Sequence, residues 1–126
     1  MGTKVLIVDD EAEFASALAE RLTLRKYEAS AAYNAADAIT LVKNGPPDVV
    51  LLDLRMPGLG GFEVLRAIKE FDSTIEVILL TGAPKAEGIG EGIPTGLFDY
   101  IMKPVEITEL IKMIDNASEK RSKTRQ

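Results

Sequence analysis

The sequence predicts an α/β fold in which one parallel sheet is doubly wound, with helices on both faces. Apolar runs typical of strands alternate along the chain with segments whose apolar residues recur at helical spacing. Residues 49–52 are four large apolar residues in succession, which indicates a strand buried on both sides. Strands that alternate with helices form parallel sheets with right-handed crossovers. The length of 126 residues is that of one domain.

The individual strands and helices follow from spacing and from turn residues. A helix is predicted over 11–26 because Phe14, Leu18 and Leu22 recur every four residues. Asn34 is a suitable N-cap for the next helix, which Gly45 would end. Five strands are predicted at 4–8, 28–32, 49–53, 75–80 and 98–102, and the remaining regular helices at 35–43, 61–71 and 106–117.

The segment between the fourth and fifth strands departs from this pattern. Residues 85–95 contain three glycines and Pro94. Each interior glycine costs a helix about 1 kcal/mol and an interior proline about 3 kcal/mol. The fourth helix is therefore predicted to be irregular or shortened. Gly88 and Gly90 do not form a nucleotide-binding fingerprint, because position 93 is isoleucine and no strand leads directly into them.

Composition excludes several kinds of chemistry. The chain contains no histidine and no cysteine, which rules out Ser-His catalysis, imidazole and thiolate metal sites, and disulfides. The net charge is −5, and because residues 119–126 carry four bases and one acid, residues 1–118 carry −8. A segment with this negative charge is not expected to bind nucleic acid, whose phosphates would repel it. The domain is predicted to cover 1–118, with 119–126 as a solvated basic tail or the start of a linker.

The hydropathy pattern also bears on location. The apolar runs are shorter than ten residues, and acids occur throughout the first twenty. Neither a membrane span nor a signal peptide is therefore expected. The lack of cysteine fits a reducing compartment, and a cytoplasmic location is the expectation.

Polar residues stand where four of the predicted strands end. Asp9 and Asp10 follow the first strand, Asp53 ends the third, and Thr81 and Lys103 end the fourth and fifth. In a sheet of order 2-1-3-4-5 the first and third strands are neighbours, so the three carboxylates are expected to meet at the carboxyl edge. Carboxylates this close repel one another, so either a pKa rises or a divalent cation binds. Ligands that are all oxygen favour Mg²⁺.

The other two residues supply what a phosphoryl group on Asp53 would require. Carboxylates act as nucleophiles and form aspartyl phosphates. Phosphoryl transfer depends on positioning and on neutralising the three equatorial oxygens. Mg²⁺, the ammonium of Lys103 and the hydroxyl of Thr81 would each take one of those oxygens. The constellation therefore matches what an aspartyl phosphate at Asp53 would require.

Four motifs contain these residues: Val8-Asp9-Asp10-Glu11, Asp53-Leu54-Arg55-Met56-Pro57-Gly58 with Gly61, Thr81-Gly82-Ala83, and Asp99-Tyr100-Ile101-Met102-Lys103-Pro104. In this order and on strand ends they strongly resemble the receiver domain of two-component response regulators. The separation of 22 positions between Thr81 and Lys103 is also that of a receiver. The resemblance covers residues 4 to about 118, with the irregular fourth helix as its departure.

The resemblance implies a role for each matched residue. Asp53 would accept a phosphoryl group from the phosphohistidine of a sensor histidine kinase or a phosphotransfer protein. Asp10, Asp53 and the main-chain carbonyl of Arg55 would hold Mg²⁺, and Asp9 would bind the ion through water or orient the site. Lys103 would contact the phosphoryl group.

A conformational switch is implied as well. Thr81 would move toward the phosphate and Tyr100 would follow it inward, which would change the face made by the fourth helix, the fifth strand and the last helix. A cis peptide is expected before Pro104. Catalysis would be limited to the domain's own phosphorylation and slow dephosphorylation, so the chain is not expected to be an enzyme. A monomer or weak dimer is expected, and the kinase and the output stay open.

Other interpretations compete with this one. Asp9 and Asp10 could simply cap the first helix, and Tyr100 could serve packing alone. A haloacid-dehalogenase-like phosphatase would need a second aspartate two positions after the nucleophile, where this chain has Arg55. A flavodoxin-like module would place an FMN phosphate against the first acidic loop, which would repel it. A receiver-like interaction module that is never phosphorylated stays open as the alternative.

Overall fold

A computed structural model describes residues 2–56, 60–82 and 96–125 of the chain. Within these ranges five strands and four helices alternate in the predicted manner. The strands are β1 (Lys4–Val8), β2 (Glu28–Ala32), β3 (Val49–Asp53), β4 (Glu76–Thr81) and β5 (Asp99–Met102), and the helices are α1 (Ala12–Leu24), α2 (Ala35–Asn44), α3 (Gly61–Phe71) and α4 (Ile107–Thr124).

All strand pairs are parallel, and the sheet has the order β2-β1-β3-β4-β5. The predicted fold class and strand order are therefore confirmed. The predicted irregular helix at 85–95 and the turn at Pro57 and Gly58 lie outside the described residues. Among the helices that the structure describes, none combines the length and the apolar character needed to cross a membrane.

The sheet separates two apolar layers. Alternate residues of the central strands, such as Val50 and Leu79, pack with α2 and α3 on one face. Their neighbours, such as Leu51 and Ile78, pack with α1 and α4 on the other face. Because β3 and β4 are buried on both sides, all of their residues are inside. This rigid double-sided core fixes the strand ends at the carboxyl edge.

Local signals agree with the helix starts. The side chain of Asn34 accepts a hydrogen bond from the N–H of Asp37 at 2.8 Å, which confirms the predicted N-cap of α2. At the start of α3 the carboxylate of Glu63 accepts the N–H of Gly60. In α1 Leu18 and Leu22 are buried as predicted, and Phe14 is half-buried.

The last helix is longer than predicted. The spacing predicted an end at 117, whereas α4 continues to Thr124. Its buried face extends with the same period through Leu110, Ile114, Ala117 and Arg121. The prediction was wrong because the charges after 117 masked a continuing helical period.

Arg121 also corrects the expectation of a solvated tail. Its side chain is 5% exposed, and its guanidinium donates to Asp48 at 2.8 Å and to Asp72 at 3.2 Å. These partners hold the helix end against the amino-terminal edge of the sheet, where β3 begins and α3 ends. The expectation of a solvated segment over 119–126 therefore does not hold at Arg121. The domain boundary at 118 stays a prediction, although helix α4 runs across it.

Replacing Arg121 with methionine is expected to lower the free energy of unfolding by about 2–3 kcal/mol at pH 7, since two carboxylates lose their buried partner. Hydrogen bonds from Thr74, and further ones from Arg121, lower the pKa of Asp72 below its ordinary value of 3.8 despite partial burial. The contribution of ionised Asp72 to the free energy of unfolding is therefore present above about pH 4. It is lost as the pH falls through the pKa that Asp72 has in the folded protein. Urea unfolding at pH 7 and at a series of acid pH values below 4 measures both effects.

The matched control is Arg125→Met, which removes an exposed arginine from the same helix end. We expect that variant to stay within about 0.5 kcal/mol of the parent protein. Equal losses for the two variants would contradict the account of Arg121.

Candidate functional site

The structure brings three carboxylates together at the carboxyl edge of β1 and β3. Asp9 and Asp10 follow β1, and Asp53 ends β3. One carboxylate oxygen of each residue lies within 4.8 Å of those of the other two. Asp9 is completely buried and Asp53 is 6% exposed, whereas Asp10 is exposed. The predicted meeting of these acids is therefore confirmed, and it follows from the pairing of β1 with β3.

The backbone holds two of these aspartates in place. Asp9 donates its N–H to the carbonyl of Ala32 at 3.1 Å, and its carboxylate accepts the N–H of Glu11 at 3.0 Å. The carboxylate of Asp53 accepts the N–H of Arg55 at 3.1 Å. Both contacts join an aspartate to the amide two residues ahead, a turn that aspartate favours. The carboxylates are therefore oriented by their own loops.

The structure does not support the alternative in which Asp9 and Asp10 cap helix α1. The N-cap position of α1 is Glu11, which makes no side-chain capping hydrogen bond. The carboxylate of Asp9 accepts from Glu11, which precedes the first helical residue. The first turn of α1 is thus left without a carboxylate cap, and the side chains of Asp9 and Glu11 are engaged elsewhere.

Lys103 reaches into the acidic cluster from the end of β5. Its Nζ lies 2.7 Å from an oxygen of Asp9, 2.9 Å from Glu11 and 3.6 Å from Asp53. The same Nζ lies 4.7 Å from the ring centroid of Phe14, a distance typical of a cation–π contact. The side chain is 19% exposed, so the ammonium faces the cluster rather than bulk solvent.

The backbone around Lys103 fixes this direction. Its N–H donates to the carbonyl of Thr81 at 2.9 Å, which joins the ends of β4 and β5. The peptide bond between Lys103 and Pro104 is cis, as predicted. The lysine thus leaves the sheet at the edge where Asp9 and Asp53 lie.

The charges at the site shift two pKa values. The pKa of Asp53 is raised to about 6, chiefly by burial and also by the neighbouring charge of Asp9, while the Arg55 N–H and Lys103 act in the opposite direction. Burial lowers the pKa of Lys103, but its hydrogen bonds to Asp9 and Glu11 and the attraction of Asp53 outweigh burial and raise that pKa above its ordinary value. The lysine is therefore cationic at every pH of interest, and Asp53 is mostly ionised only above about pH 6.

The remaining predicted residues lie at the same edge of the sheet. Thr81 is the last residue of β4 and is 1% exposed, and the residue before it pairs with Asp53. Tyr100 is half-buried and packs against the apolar layer beneath α2 and α3. Arg55 is exposed and contributes its N–H to Asp53. The switch roles of Thr81 and Tyr100, and the carbonyl of Arg55 as a metal ligand, stay predictions.

One glycine of the motifs has a visible packing reason. A Cβ at Gly61 would lie 2.6 Å from the Cα of Leu54 and 3.0 Å from the carbonyl oxygen of Asp53. Real Cβ atoms do not approach backbone this closely, so a side chain here would push the loop after β3 away from α3. Gly61 therefore helps to set the position of Asp53.

Sequence reasoning missed two neighbours of Lys103. Glu11 was only part of a motif and Phe14 only part of the core, yet both contact the ammonium. Their spacing of three positions, which places both on one side of the first helical turn, was the available signal.

The donor set suits a hard divalent cation. Within the described ranges, the side-chain ligands that the cluster offers are carboxylate oxygens, and Mg²⁺ prefers oxygen and keeps several of its waters. The exposure of Asp10 leaves one side of the cluster open to such waters and to a phosphoryl group. The residues present therefore fit Mg²⁺.

The described residues thus form a parallel sheet with an acidic cluster and an inward lysine at its carboxyl edge. The family model described as the response regulator receiver domain matches residues 5–115. The chain belongs to the response regulator receiver domain family.

Its relatives include several regulators. Sporulation initiation phosphotransferase F of Bacillus subtilis is 34% identical over 110 residues, which cover 87% of this chain and 89% of that protein. Regulatory protein AtoC of Escherichia coli is 34% identical over 90% of this chain. DNA-binding response regulator MtrA of Mycobacterium tuberculosis is 33% identical over 90% of this chain. The chain spans 25% of the length of AtoC and 50% of that of MtrA.

Solved structures agree with the family. NtrX from Brucella abortus superimposes with a TM-score of 0.90 at 28% identity, covering 99% of this chain and 29% of that one. The receiver domain of the Francisella response regulator 1452 superimposes with a TM-score of 0.83 at 27% identity, covering 94% of this chain and 98% of that one.

Proposed function

We propose that this chain accepts a phosphoryl group on Asp53 in an Mg²⁺-dependent reaction and so switches a signalling output. The observation that carries the proposal is the position of the Lys103 ammonium, 3.6 Å from Asp53 within a cluster of three carboxylates. A cation and an acidic metal site beside the same carboxylate are what transfer of an anionic phosphoryl group requires.

Asp10 and Asp53 would hold the ion together with the Arg55 carbonyl, and Asp9 would bind it through water or orient the site. When bound, Mg²⁺ would neutralise the charge of the phosphoryl oxygens. The ammonium of Lys103 would neutralise one phosphoryl oxygen, and the hydroxyl of Thr81 would donate a hydrogen bond to another.

The nucleophile would be a carboxylate oxygen of Asp53. It would form an O–P bond while the P–N bond of a phosphohistidine breaks, and the leaving imidazole nitrogen would keep the bonding electrons and take a proton from solvent. The hydrogen bond from the Arg55 N–H occupies one oxygen of Asp53 and so orients the other. Hydrolysis of the aspartyl phosphate by water would return the domain to its starting state.

Phosphorylation would be transmitted to the rest of the domain by movements of residues at the ends of β4 and β5. Thr81 would move toward the phosphate, and Tyr100 on the neighbouring strand would move inward. Because the Thr81 carbonyl accepts the Lys103 N–H, a displacement at either residue would be transmitted between β4 and β5.

The partners follow from the family. A sensor histidine kinase or a phosphotransfer protein would donate the phosphoryl group. An output domain or a downstream protein would respond to the phosphorylated state. A body charge of −8 over 1–118 argues against direct nucleic-acid binding by this domain. We place the protein in the cytoplasm, as a monomer or weak dimer, with no activity beyond its own phosphorylation and dephosphorylation.

Incubation with acetyl phosphate and Mg²⁺ tests the proposal. We expect the intact protein to gain about the mass of one phosphoryl group, and EDTA or Asp53→Asn to abolish the gain, because the nucleophile or its cation is then missing. Mass spectrometry at neutral pH measures the change, and Glu70→Gln, an exposed acid on α3, is the control. No mass gain with acetyl phosphate, phosphoramidate or beryllium fluoride would favour the interaction module that is never phosphorylated.

A further inference from the structure

Glu11 stands in an unusual position for a helix-capping residue. It occupies the N-cap of α1, but its carboxylate makes no capping hydrogen bond and lies 2.9 Å from the Nζ of Lys103. Acids at an N-cap ordinarily accept from the free amides of the first turn. The structure therefore directs this carboxylate to the lysine of the site instead.

The ammonium of Lys103 donates two hydrogen bonds, to Asp9 at 2.7 Å and to Glu11 at 2.9 Å. A carboxylate oxygen of Asp53 lies at 3.6 Å, which is an ion-pair distance beyond hydrogen-bond range. A phosphoryl group on Asp53 that draws this ammonium toward itself would therefore compete with Asp9 and Glu11 for its position and its charge.

Glu11 is the partner that can be released most easily. Its side chain is 66% exposed, whereas that of Asp9 is completely buried and that of Asp53 is 8% exposed. An exposed carboxylate returns to water at little cost, while a buried one would be left without compensation. Glu11 also lies outside the group of three carboxylates that fits a metal ion.

We propose that Glu11 is a positioning residue that holds Lys103 in the unphosphorylated state and competes with the phosphoryl group for its ammonium. The proposal rests on the proposed function, because it concerns the same lysine. Glu11 thereby sets how tightly the domain holds the phosphoryl group, and its release accompanies phosphorylation.

Beryllium fluoride with Mg²⁺ serves as the probe, and calorimetric titration measures its affinity. We expect Glu11→Gln to raise the affinity about two- to fivefold, the range that an exposed ion pair corresponds to. The matched control is Glu13→Gln, which removes the same charge from an exposed residue of the same first turn. That control is expected to leave the affinity unchanged.

A second measurement shows whether the effect passes through Lys103. Urea unfolding of the metal-free protein is compared for Glu11→Gln, Lys103→Met and the double variant. We expect the two losses to be non-additive, because the second substitution removes an interaction that the first has already broken.

The outcomes separate the two proposals. Unchanged or weaker binding by Glu11→Gln, an equal gain in Glu13→Gln, or additive losses in the cycle would each overturn the role of Glu11. If the parent protein binds no beryllium fluoride at all, the proposed function itself fails.

Discussion

Replacing Lys103 with methionine is expected to lower the free energy of unfolding of the metal-free protein by about 2–4 kcal/mol at pH 7. Asp9 is completely buried and would lose a partner at 2.7 Å, and the repulsion between Asp9 and Asp53 would no longer be balanced. Removing one partner of a buried pair costs about 3–5 kcal/mol. The lower value expected here reflects the partial exposure of Lys103 and the ability of Asp53 to take up a proton.

Mg²⁺ is expected to restore part of that loss, because a cation bound by the carboxylates replaces the missing positive charge. Urea unfolding with and without about 10 mM Mg²⁺ measures both effects, at a concentration that saturates only sites of millimolar affinity or better. Lys43→Met, at an exposed position in the last turn of α2, is the control. A loss that Mg²⁺ leaves unchanged, or an equal loss in the control, would count against a cation site at this cluster.

The second large effect is a gain in stability. Asp53→Asn is expected to raise the free energy of unfolding of the metal-free protein by about 2 kcal/mol at pH 7.5. Burial raises the pKa of Asp53 from 3.8 to about 6, so the folded protein holds this carboxylate ionised at a cost. Each unit by which the pKa is raised corresponds to about 1.4 kcal/mol, and partial relaxation of the protein around the charge reduces the total cost to the value expected here.

The sign of this effect depends on pH. Because the pKa is raised in the folded state, the cost is fully present above about pH 6 and disappears only as the pH falls below the ordinary value of 3.8, where Asp53 is protonated in both states. The difference between Asp53→Asn and the parent protein should therefore shrink from pH 6 downward and vanish near about pH 3. Denaturant unfolding across this range checks it, and a difference that does not vary with pH would contradict the account.

Sequence reasoning predicted four elements, β1, β2, β3 and α3, with the bounds that the structure has. The bounds of β3 and α3 are those predicted, because Val49–Asp53 and Gly61–Phe71 combine clear periodicity with turn residues at their ends. The site followed from the strand order alone, since pairing of β1 with β3 brings Asp9 to Asp53. Topology therefore predicted the position of the backbone groups that carry the site.

The parts that sequence reasoning missed depend on how far long side chains reach. Arg121 was assigned to solvent because its charge concealed a buried position of the helical period. Glu76 lay within the predicted strand 75–80 but was given no partner, although it is 4% exposed and lies within 4 Å of Lys69 and Lys120. The contact between Glu11 and Lys103 joins residues 92 positions apart. A pattern of residue types does not contain such pairings, which only the folded arrangement brings together.

The central claim is that the three carboxylates form a cation site that allows chemistry at Asp53. Calorimetric titration with Mg²⁺ tests it most directly, with Asp10→Asn as the variant because Asp10 is exposed and its replacement should leave the fold intact. We predict saturable binding of one ion by the parent protein and an affinity at least about tenfold weaker in the variant, since a carboxylate ligand is replaced by a neutral amide. An absence of binding at millimolar Mg²⁺, or equal affinity in the two proteins, would contradict the claim.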